Sequence, residues 1–340
     1  MTTHSNLTPS ISCIVPAFNE GGNLGVVLPP MLAALKSLSP QVEIVVVNDG
    51  SRDDTDAVMQ RLCASYPEVV YLQLSRNFGK EAALTAGLDA VRGEVVVLMD
   101  ADGQHPTALL PEMLQKWRQG ADVVYAARKT RDDQSSLQAG LTGLFYKFIN
   151  WGNHIEIPAN AGDFRLMDRK VVDALKALPE RHRFMKGLYA WVGFNSTAID
   201  YEPLPRTDGK SNFGLRGGFK LALTGVVAFS TAPLRLLAWV GLLLSVGALA
   251  YSAWVVVEYF MLDIDVPGYA TIVVGVMFFS GIQLLSTGVL AEYIGRIYDE
   301  VKQRPTYIVR TRVGQGLAQE IRPTGGAGAW VPAAQDALRQ

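Results

Sequence analysis

Residues 94–106, EVVVLMDADGQHP, join a short apolar run to an acidic turn. The run VVVLM is typical of a strand that is buried on both faces. Asp100, Asp102 and Gln104 follow it and offer two carboxylates and an amide, which are hard oxygen donors suited to Mg²⁺ or Mn²⁺. With phosphate oxygens completing its shell, such an ion would neutralise a diphosphate leaving group. Alternating aspartates also occur in solvated turns. The position of this pair directly after a buried strand is what favours a metal site.

Similar apolar runs occur on both sides of this stretch. ISCIVP, EIVVVND and VVYLQLS precede it and ADVVYAAR follows it, with helical segments predicted over residues 23–38, 54–66, 80–91 and 107–119. This alternation predicts an α/β fold, a Rossmann-like and mostly parallel sheet with helices on both faces. Ligands of such sheets bind beyond the carboxyl ends of the strands. Asp49 lies at one of these ends, where it could accept hydrogen bonds from a base or ribose, although Asp54 or Thr55 could instead simply cap the next helix.

Several function classes are disfavoured. The loop AFNEGGN after the first strand lacks the spaced glycines of a dinucleotide-binding fingerprint, and the chain contains no Walker-type glycine loop. With 31 Lys and Arg against 32 Asp and Glu, the net charge of −1 supplies no excess of cations for nucleic acid. The sequence therefore favours neither a nicotinamide enzyme nor a nucleic-acid-binding protein.

The apolar residues, 49% of the 340, are concentrated near the C-terminus. Residues 236–257 and 266–291 carry no charge, and the shorter run would span ~33 Å as a helix, enough for a ~30 Å hydrocarbon core. The connection between them contains three acids and no Lys or Arg, whereas both outer flanks are rich in Lys and Arg. By the positive-inside rule we expect a multi-pass protein of the cell (inner) membrane, with the N-terminal domain and both termini cytoplasmic.

These patterns predict five segments: a cytoplasmic N-terminal domain (1–205), a juxtamembrane segment (206–235), transmembrane helices (236–258 and 266–291) and a cytoplasmic C-terminal tail (292–340). Residues 221–234 are too short to cross a bilayer and suit a helix in the headgroup plane or, alternatively, one packed under the catalytic domain. Five glycines in the spans would permit close packing between copies, so we expect a homo-oligomer, with a tetramer as one option. They are Gly241, Gly247, Gly275, Gly281 and Gly288.

Five spaced motifs resemble one known family. IVPAFNE (14–20), VVVNDGSRDDT (45–55), SRNFGKEAAL (75–84), MDADGQHP (99–106) and AGDFRL (161–166) are similar to those of GT-A fold glycosyltransferases of family 2. The two predicted spans narrow the resemblance to the polyprenyl-phosphate glycosyltransferases, such as dolichyl-phosphate mannose synthase, the bactoprenol glucosyltransferases and the undecaprenyl-phosphate aminoarabinose transferases. It covers about residues 10–310.

The resemblance implies a site. Pro16, Ala17, Asn19, Glu20 and Asp49 would hold the base and ribose of a nucleotide sugar, and Asp100, Ala101, Asp102 and Gln104 its diphosphate, through Mg²⁺ or Mn²⁺ at Asp100, Asp102 and Gln104. Arg206 and Lys210 would grip the departing diphosphate, Arg128 would receive the lipid phosphate, and Asp163 would lie near the reacting sugar. Asp102, Asp163 and Arg128 are therefore the candidate catalytic residues. His105 is either a neighbour that supports the acidic turn or a residue at the start of a helix.

The expected function is inverting, metal-assisted transfer of one sugar from a nucleotide sugar to polyprenyl phosphate, with undecaprenyl phosphate as the lead acceptor, at the cytoplasmic face of the lipid bilayer. UDP-glucose is the lead donor, and GDP-mannose and UDP-aminoarabinose remain open. The QxxRW motif of processive relatives is missing from this sequence, which favours one transfer per acceptor. Asp163 could orient the sugar or acceptor, or act as a base. Two other classes compete: an inactive membrane-anchored protein that binds nucleotide sugars, and a transporter.

Overall fold

The computed structural model describes residues 8–128, 161–202, 232–262 and 268–317. The strands are β1 (Ile11–Ala17), β2 (Val42–Asn48), β3 (Val69–Leu74), β4 (Val95–Leu98), β5 (Val123–Arg128), β6 (Ala161–Asp168), β7 (Ser196–Tyr201) and β8 (Val309–Val313). The helices are α1 (Gly21–Leu38), α2 (Thr55–Ser65), α3 (Lys80–Ala90), α4 (Leu110–Arg118), α5 (Arg169–Ala177), α6 (Met185–Trp191), α7 (Ala232–Leu262) and α8 (Tyr269–Val301). The elements predicted between residues 11 and 128 are all present, with boundaries shifted by a few residues.

All eight strands form one sheet in the order β7-β5-β6-β4-β1-β2-β3-β8. β1 pairs in parallel with β2 and β4, β2 with β3, and β5 with β7. β6 lies antiparallel between β4 and β5, and β8 lies antiparallel on β3. The predicted mostly parallel α/β sheet is confirmed, with two antiparallel strands that the sequence pattern did not predict.

Two apolar layers cover the sheet because its strands are apolar on both faces. Side chains of α1, α2 and α4 pack with the residues of β1 that point to one face, such as Cys13 and Val15. Side chains of α3, α5 and α6 pack on the opposite face, which carries Ile14 of the same strand. The helices on both faces leave the ends of the strands open to form a site.

The two C-terminal helices present apolar side chains outward. Leu243 of α7 and Met277 of α8 keep 73% and 71% of their surface exposed, respectively. By length and composition, the described residues contain one helical segment able to cross a membrane, Gly275–Lys302, and one shorter apolar helix, Trp239–Ala248. The predicted arrangement of two spans, at 236–258 and 266–291, therefore stays a prediction, and residues 206–231, most of the predicted juxtamembrane segment, lie outside the described residues.

Part of the predicted C-terminal tail belongs to the globular domain. α8 continues to Val301, well past the predicted end of its span, and β8 then completes the sheet at the edge of β3. Glu300 Oε1 accepts hydrogen bonds from the backbone N–H groups of Arg181 and His182, at 2.9 and 3.1 Å. The physical reason for the strand is that β3 would otherwise leave a row of backbone groups unpaired. These contacts tie the end of the long helix to the sheet domain.

Candidate functional site

Sheet topology brings the predicted site residues to one edge. β1, β2 and β4 are mutually parallel, so the loops that carry Asn19, Asp49 and Asp100 leave the sheet on the same side. β6 runs in the opposite direction, and its early residue Asp163 therefore reaches that same edge. β5 is antiparallel to β6 and ends there with Arg128. Binding sites of open α/β sheets lie at this edge.

The acidic turn after β4 is held by its own backbone and by His105. The Asp100 N–H donates to His105 Nδ1 at 3.0 Å, and the Gln104 N–H donates to Asp102 Oδ1 at 3.1 Å. His105 is buried and its ring stacks on Phe164, with centroids 4.8 Å apart. Burial lowers the His105 pKa more than the nearby carboxylates raise it. The ring is therefore neutral at pH 7, and because Nδ1 accepts, its proton is on Nε2, 3.8 Å from Asp100 Oδ2. Of the two roles considered for His105, the geometry favours support of the turn.

Lys80 joins two of the predicted acids. Its Nζ lies 2.7 Å from Asp100 Oδ1 and 2.8 Å from Asp163 Oδ2, although the three residues come from α3, the turn after β4, and β6. Burial disfavours the charged ammonium, but the two carboxylates outweigh it and raise the Lys80 pKa above its ordinary value. One ammonium thus lies between two carboxylates at the edge of the sheet.

Asp163 is held as an anion. Burial opposes its ionisation, but Lys80 and then Lys186 outweigh that effect, and the Asp163 pKa lies well below its usual range. Arg165, two residues along β6, adds a further positive charge, and its guanidinium lies 3.4 Å from the ring centroid of Tyr189. A carboxylate with so low a pKa has little tendency to take up a proton at neutral pH.

Asp49 organises the loop before Lys80. Its Oδ1 and Oδ2 accept the N–H groups of Phe78 and Gly79, at 2.7 and 2.8 Å. Burial raises the Asp49 pKa, and these two bonds partly offset the rise. Gly50 follows with a φ of 70°, and a Cβ there would lie 2.5 Å from the backbone C of Arg76. The β2–α2 and β3–α3 loops therefore contact each other through backbone, and Asp49 has a structural role whether or not it also contacts a nucleotide.

Hydrogen bonds also join the loop after β1 to the loop after β2. The Asn19 N–H donates to Ser51 Oγ at 2.8 Å, and Asn19 Oδ1 accepts the Arg52 N–H at 2.9 Å. Asp54 is the N-cap residue of α2, one of the two predicted alternatives, but its side chain makes no capping hydrogen bond. The side chain of Asp53 bonds to the start of the helix instead, because its Oδ1 accepts the Thr55 N–H at 3.1 Å, while its Oδ2 accepts the Gly21 N–H of the neighbouring loop at 3.1 Å. A single aspartate thus serves both loops.

The other predicted residues lie around these contacts. Pro16 and Ala17 end β1, Glu20 Oε2 accepts Asn23 Nδ2 at 2.6 Å, and Ala101 is buried within the acidic turn. Arg206 and Lys210 lie outside the described residues, as does the side chain of Arg128. The structure therefore brings together the acidic turn, Asp163 and the loops of Asn19 and Asp49.

The acidic turn fits a divalent ion that shares its ligands with a substrate. Among the described residues, no three His, Cys, Asp or Glu side chains form a ready-made metal cage. Asp100, Asp102 and Gln104 supply two carboxylates and an amide, so oxygen atoms of a ligand must complete the shell. An ammonium already sits against Asp100 Oδ1, which indicates that this position accommodates positive charge.

Sequence reasoning missed Lys80, Lys186 and Arg165 as members of the site. Lys80 lies within SRNFGKEAAL, one of the five motifs of the resemblance, which implied no role for this residue. Its place at the start of a helix that follows a strand end was the available signal. Arg165 follows Asp163 by two residues in AGDFRL, and this spacing was the available signal, since alternate residues of a strand share a face. Lys186 carries no such signal, because its proximity to Asp163 depends on where α6 packs.

Comparison with known proteins gives the family. Residues 12–176 match the model of glycosyl transferase family 2, and residues 232–297 match the GtrB C-terminal hairpin. The SfII prophage-derived bactoprenol glucosyl transferase of Shigella flexneri is 42% identical over 88% of this chain and 97% of its own length. The chain belongs to glycosyltransferase family 2. An uncharacterized glycosyltransferase of Synechocystis is 43% identical over 89% of this enzyme and 95% of that protein.

Solved structures resemble this glycosyltransferase more distantly. Mannosyl-3-phosphoglycerate synthase from Rubrobacter xylanophilus matches 68% of the chain and 75% of its own, with a TM-score of 0.43 and 20% sequence identity. The family assignment rests on the sequence relatives and not on this likeness.

Glu81 of this glycosyltransferase gives a pH-dependent prediction. Burial and then the nearby Asp163 raise the Glu81 pKa to about 7, while its Oε2 accepts the Met185 N–H at 3.1 Å. Between about pH 4.5 and 7 the folded protein holds a proton that the unfolded chain releases, so stability falls as the pH rises through this window. Glu81→Gln cannot ionise, so we expect it to gain stability relative to wild type between pH 5 and 8, by up to ~3 kcal/mol.

Thermal melts of both proteins in detergent at pH 5 and pH 8 measure this difference. The exposed Glu112, changed to Gln, is the matched control and is expected to follow the wild type at both pH values. A Glu81→Gln melting difference that does not change with pH would contradict the prediction.

Proposed function

We propose that this enzyme is an inverting glycosyltransferase that moves one sugar from a nucleotide sugar to polyprenyl phosphate at the cytoplasmic face of the membrane. UDP-glucose and undecaprenyl phosphate are the lead donor and acceptor. The observation that carries the proposal is the convergence of Asp100 and Asp163 on Lys80 at the carboxyl edge of the sheet. It occurs in a chain that matches bactoprenol glucosyl transferases over nearly their whole length.

The donor would lie along the carboxyl edge. Asp100, Asp102 and Gln104 would hold Mg²⁺ or Mn²⁺, which supplies Lewis acidity to the diphosphate when bound. The base and ribose would lie against the loops of β1 and β2, which carry the following candidates: Pro16, Ala17, Asn19, Glu20 and Asp49. The hydrogen bonds between these two loops support this placement, since they give the donor a preorganised surface.

The acceptor requires little acid–base chemistry. The oxygen of a lipid monophosphate is already anionic at neutral pH, and its attack on the anomeric carbon would invert the configuration in one displacement. Asp163, with its depressed pKa, is suited to orient the sugar or acceptor and not to abstract a proton. Arg128 would receive the lipid phosphate, and Arg206 and Lys210 the departing diphosphate. Rate enhancement would then come from positioning and from neutralisation of charge.

The membrane arrangement supports an acceptor that is delivered from the bilayer. We place the catalytic domain at residues 1–205, with β8 completing its sheet, and the two spans at 236–258 and 266–291, with both termini cytoplasmic. The outward apolar side chains of α7 and α8 suit a lipid environment. A Cβ added at Gly275, Gly281 or Gly288 would meet nothing within 4 Å, which leaves room for close packing in a homo-oligomer.

The test is direct transfer by the purified full-length protein in detergent. Incubation with radiolabelled UDP-glucose, undecaprenyl phosphate and Mn²⁺ is expected to produce a chloroform-soluble labelled lipid with inverted anomeric configuration. Excess chelator should abolish it, and added Mn²⁺ should restore it. Absence of a labelled lipid with UDP-glucose, GDP-mannose and UDP-aminoarabinose alike would reject the proposal.

The same assay separates the competing functions. An inactive binding partner would be stabilised by a donor in a thermal-shift panel, in proportion to ln(1 + [L]/Kd), yet would form no lipid product. A donor panel by thermal shift also selects between UDP-glucose, GDP-mannose and UDP-aminoarabinose.

A further inference from the structure

Lys80 occupies a fixed position on the backbone. It is the first residue of α3, directly after Gly79, whose φ of 101° favours glycine. Asp49 accepts the N–H groups of both Phe78 and Gly79, so the start of α3 is tied to the end of β2. The Lys80 side chain therefore projects from an anchored loop toward the acidic turn.

The Lys80 side chain is partly exposed to solvent. It keeps 40% of its surface exposed, whereas the side chains of Asp100 and Asp163 keep 28% and 21%. The ammonium contacts one oxygen of each carboxylate, and it lies against Asp100, the first residue of the candidate metal set. A divalent ion at Asp100 and an ammonium on the same carboxylate would repel each other.

We propose that Lys80 is the resident cation of the diphosphate site, which neutralises Asp100 and Asp163 while no donor is bound. In this proposal, which rests on the proposed function, Lys80 loses its contact with Asp100 when the divalent ion binds there, and it keeps its contact with Asp163. The negative charge of the nucleotide diphosphate offsets the repulsion between the ion and the ammonium. Lys80 thus makes metal binding depend on the nucleotide, and it acts as a positioning residue for Asp163.

Mutual dependence of this kind is a coupling free energy, and it is reciprocal. In the wild type, Mn²⁺ alone must displace an ammonium and is expected to bind weakly, while Mn²⁺ in the presence of UDP binds much more tightly. Without the positive charge of Lys80, Mn²⁺ no longer has to displace an ammonium from Asp100. The diphosphate of the nucleotide also loses one of its neighbouring cations. The coupling between Mn²⁺ and UDP is therefore expected to shrink.

The experiment measures Mn²⁺ affinity by electron paramagnetic resonance of the free ion, with full-length protein in detergent, in the presence and absence of UDP. For Lys80→Gln we expect Mn²⁺ affinity without nucleotide to rise at least ~tenfold, and the enhancement by UDP to fall by a similar factor. Lys80→Arg retains the charge and should preserve the wild-type coupling. The matched control is Lys170→Gln, since Lys170 forms a 2.6 Å ion pair with Asp122, outside the acidic turn and its contacts.

An unchanged or weaker Mn²⁺ affinity without nucleotide in Lys80→Gln would overturn the proposal. If that variant does not fold, Lys80→Met replaces it, and Lys80→Arg provides an independent criterion, because loss of Mn²⁺–UDP coupling despite a retained charge would also overturn it. The readout requires no sugar transfer. Failure of the transfer assay with preserved Mn²⁺–UDP coupling would therefore count against the proposed function alone.

Discussion

Replacing Asp102 with asparagine is expected to lower the turnover of sugar transfer by about a thousandfold. Asp102 is one of two carboxylates in the acidic turn after β4, and its Oδ1 accepts the Gln104 N–H at 3.1 Å. Asparagine has nearly the same shape but no charge, so the turn should persist while its hold on a divalent ion weakens. The charge that develops on the leaving diphosphate would then be poorly neutralised.

Initial rates with saturating donor and a series of Mn²⁺ concentrations measure the effect. Higher Mn²⁺ should recover part of the activity of Asp102→Asn, which separates weakened ion binding from a misfolded site. Asp173→Asn is the matched control, because Asp173 lies on α5 with 61% of its side chain exposed and pairs only loosely with Arg169, at 4.0 Å. Turnover of Asp102→Asn within tenfold of wild type would exclude Asp102 from the metal set.

Replacing Asp163 with asparagine is expected to lower turnover by about a hundredfold. The substitution removes the carboxylate that lies 2.8 Å from Lys80 Nζ and leaves that ammonium with Asp100 alone. Because Lys80 and Lys186 overcome the effect of burial and hold the Asp163 pKa far below neutrality, Asp163 is ionised throughout the physiological range. If Asp163 has an orienting role, its ionisation therefore contributes no pH dependence to the wild-type rate between pH 6 and 9.

The pH profiles of the wild type and of Asp163→Asn decide between the two roles. A base role would produce a titration near neutrality that disappears in the variant. Near-normal turnover of Asp163→Asn would discard both roles. Exposed Asp173→Asn again serves as the control for the loss of a carboxylate elsewhere in the chain.

Local patterns were sufficient for much of the fold. The apolar β-branched runs predicted β1 to β5, and the helices between them began and ended within a few residues of the prediction. By contrast, the residues of AGDFRL do not by themselves predict β6, and the sequence pattern places the residues of β8 in a tail. Both strands are antiparallel partners of distant segments, and nothing in their own residues specifies that pairing.

The residues of the candidate site also fall into two groups, those that the sequence indicates and those whose role only the fold shows. Asp100 and Asp102 stand out because two acids follow a buried strand, and Asp49 because an acid ends another. His105 shows its role only through its stacking on Phe164 and its bond to the Asp100 N–H. The start of α2 shows the limit of local rules, since Asp53, and not the N-cap residue Asp54, bonds to the first N–H of the helix and also to Gly21 of a neighbouring loop.

The sequence by itself determined the alternation of strands and helices, the acidic turn and the apolar C-terminal segments, because periodicity and composition act over a few neighbouring residues. Only the tertiary structure decided that Lys80 lies between Asp100 and Asp163, and that β8 returns from the last helix to the sheet. The physical reason is that these contacts depend on the order and direction of strands far apart in the chain. Strand order is set by the packing of the whole domain.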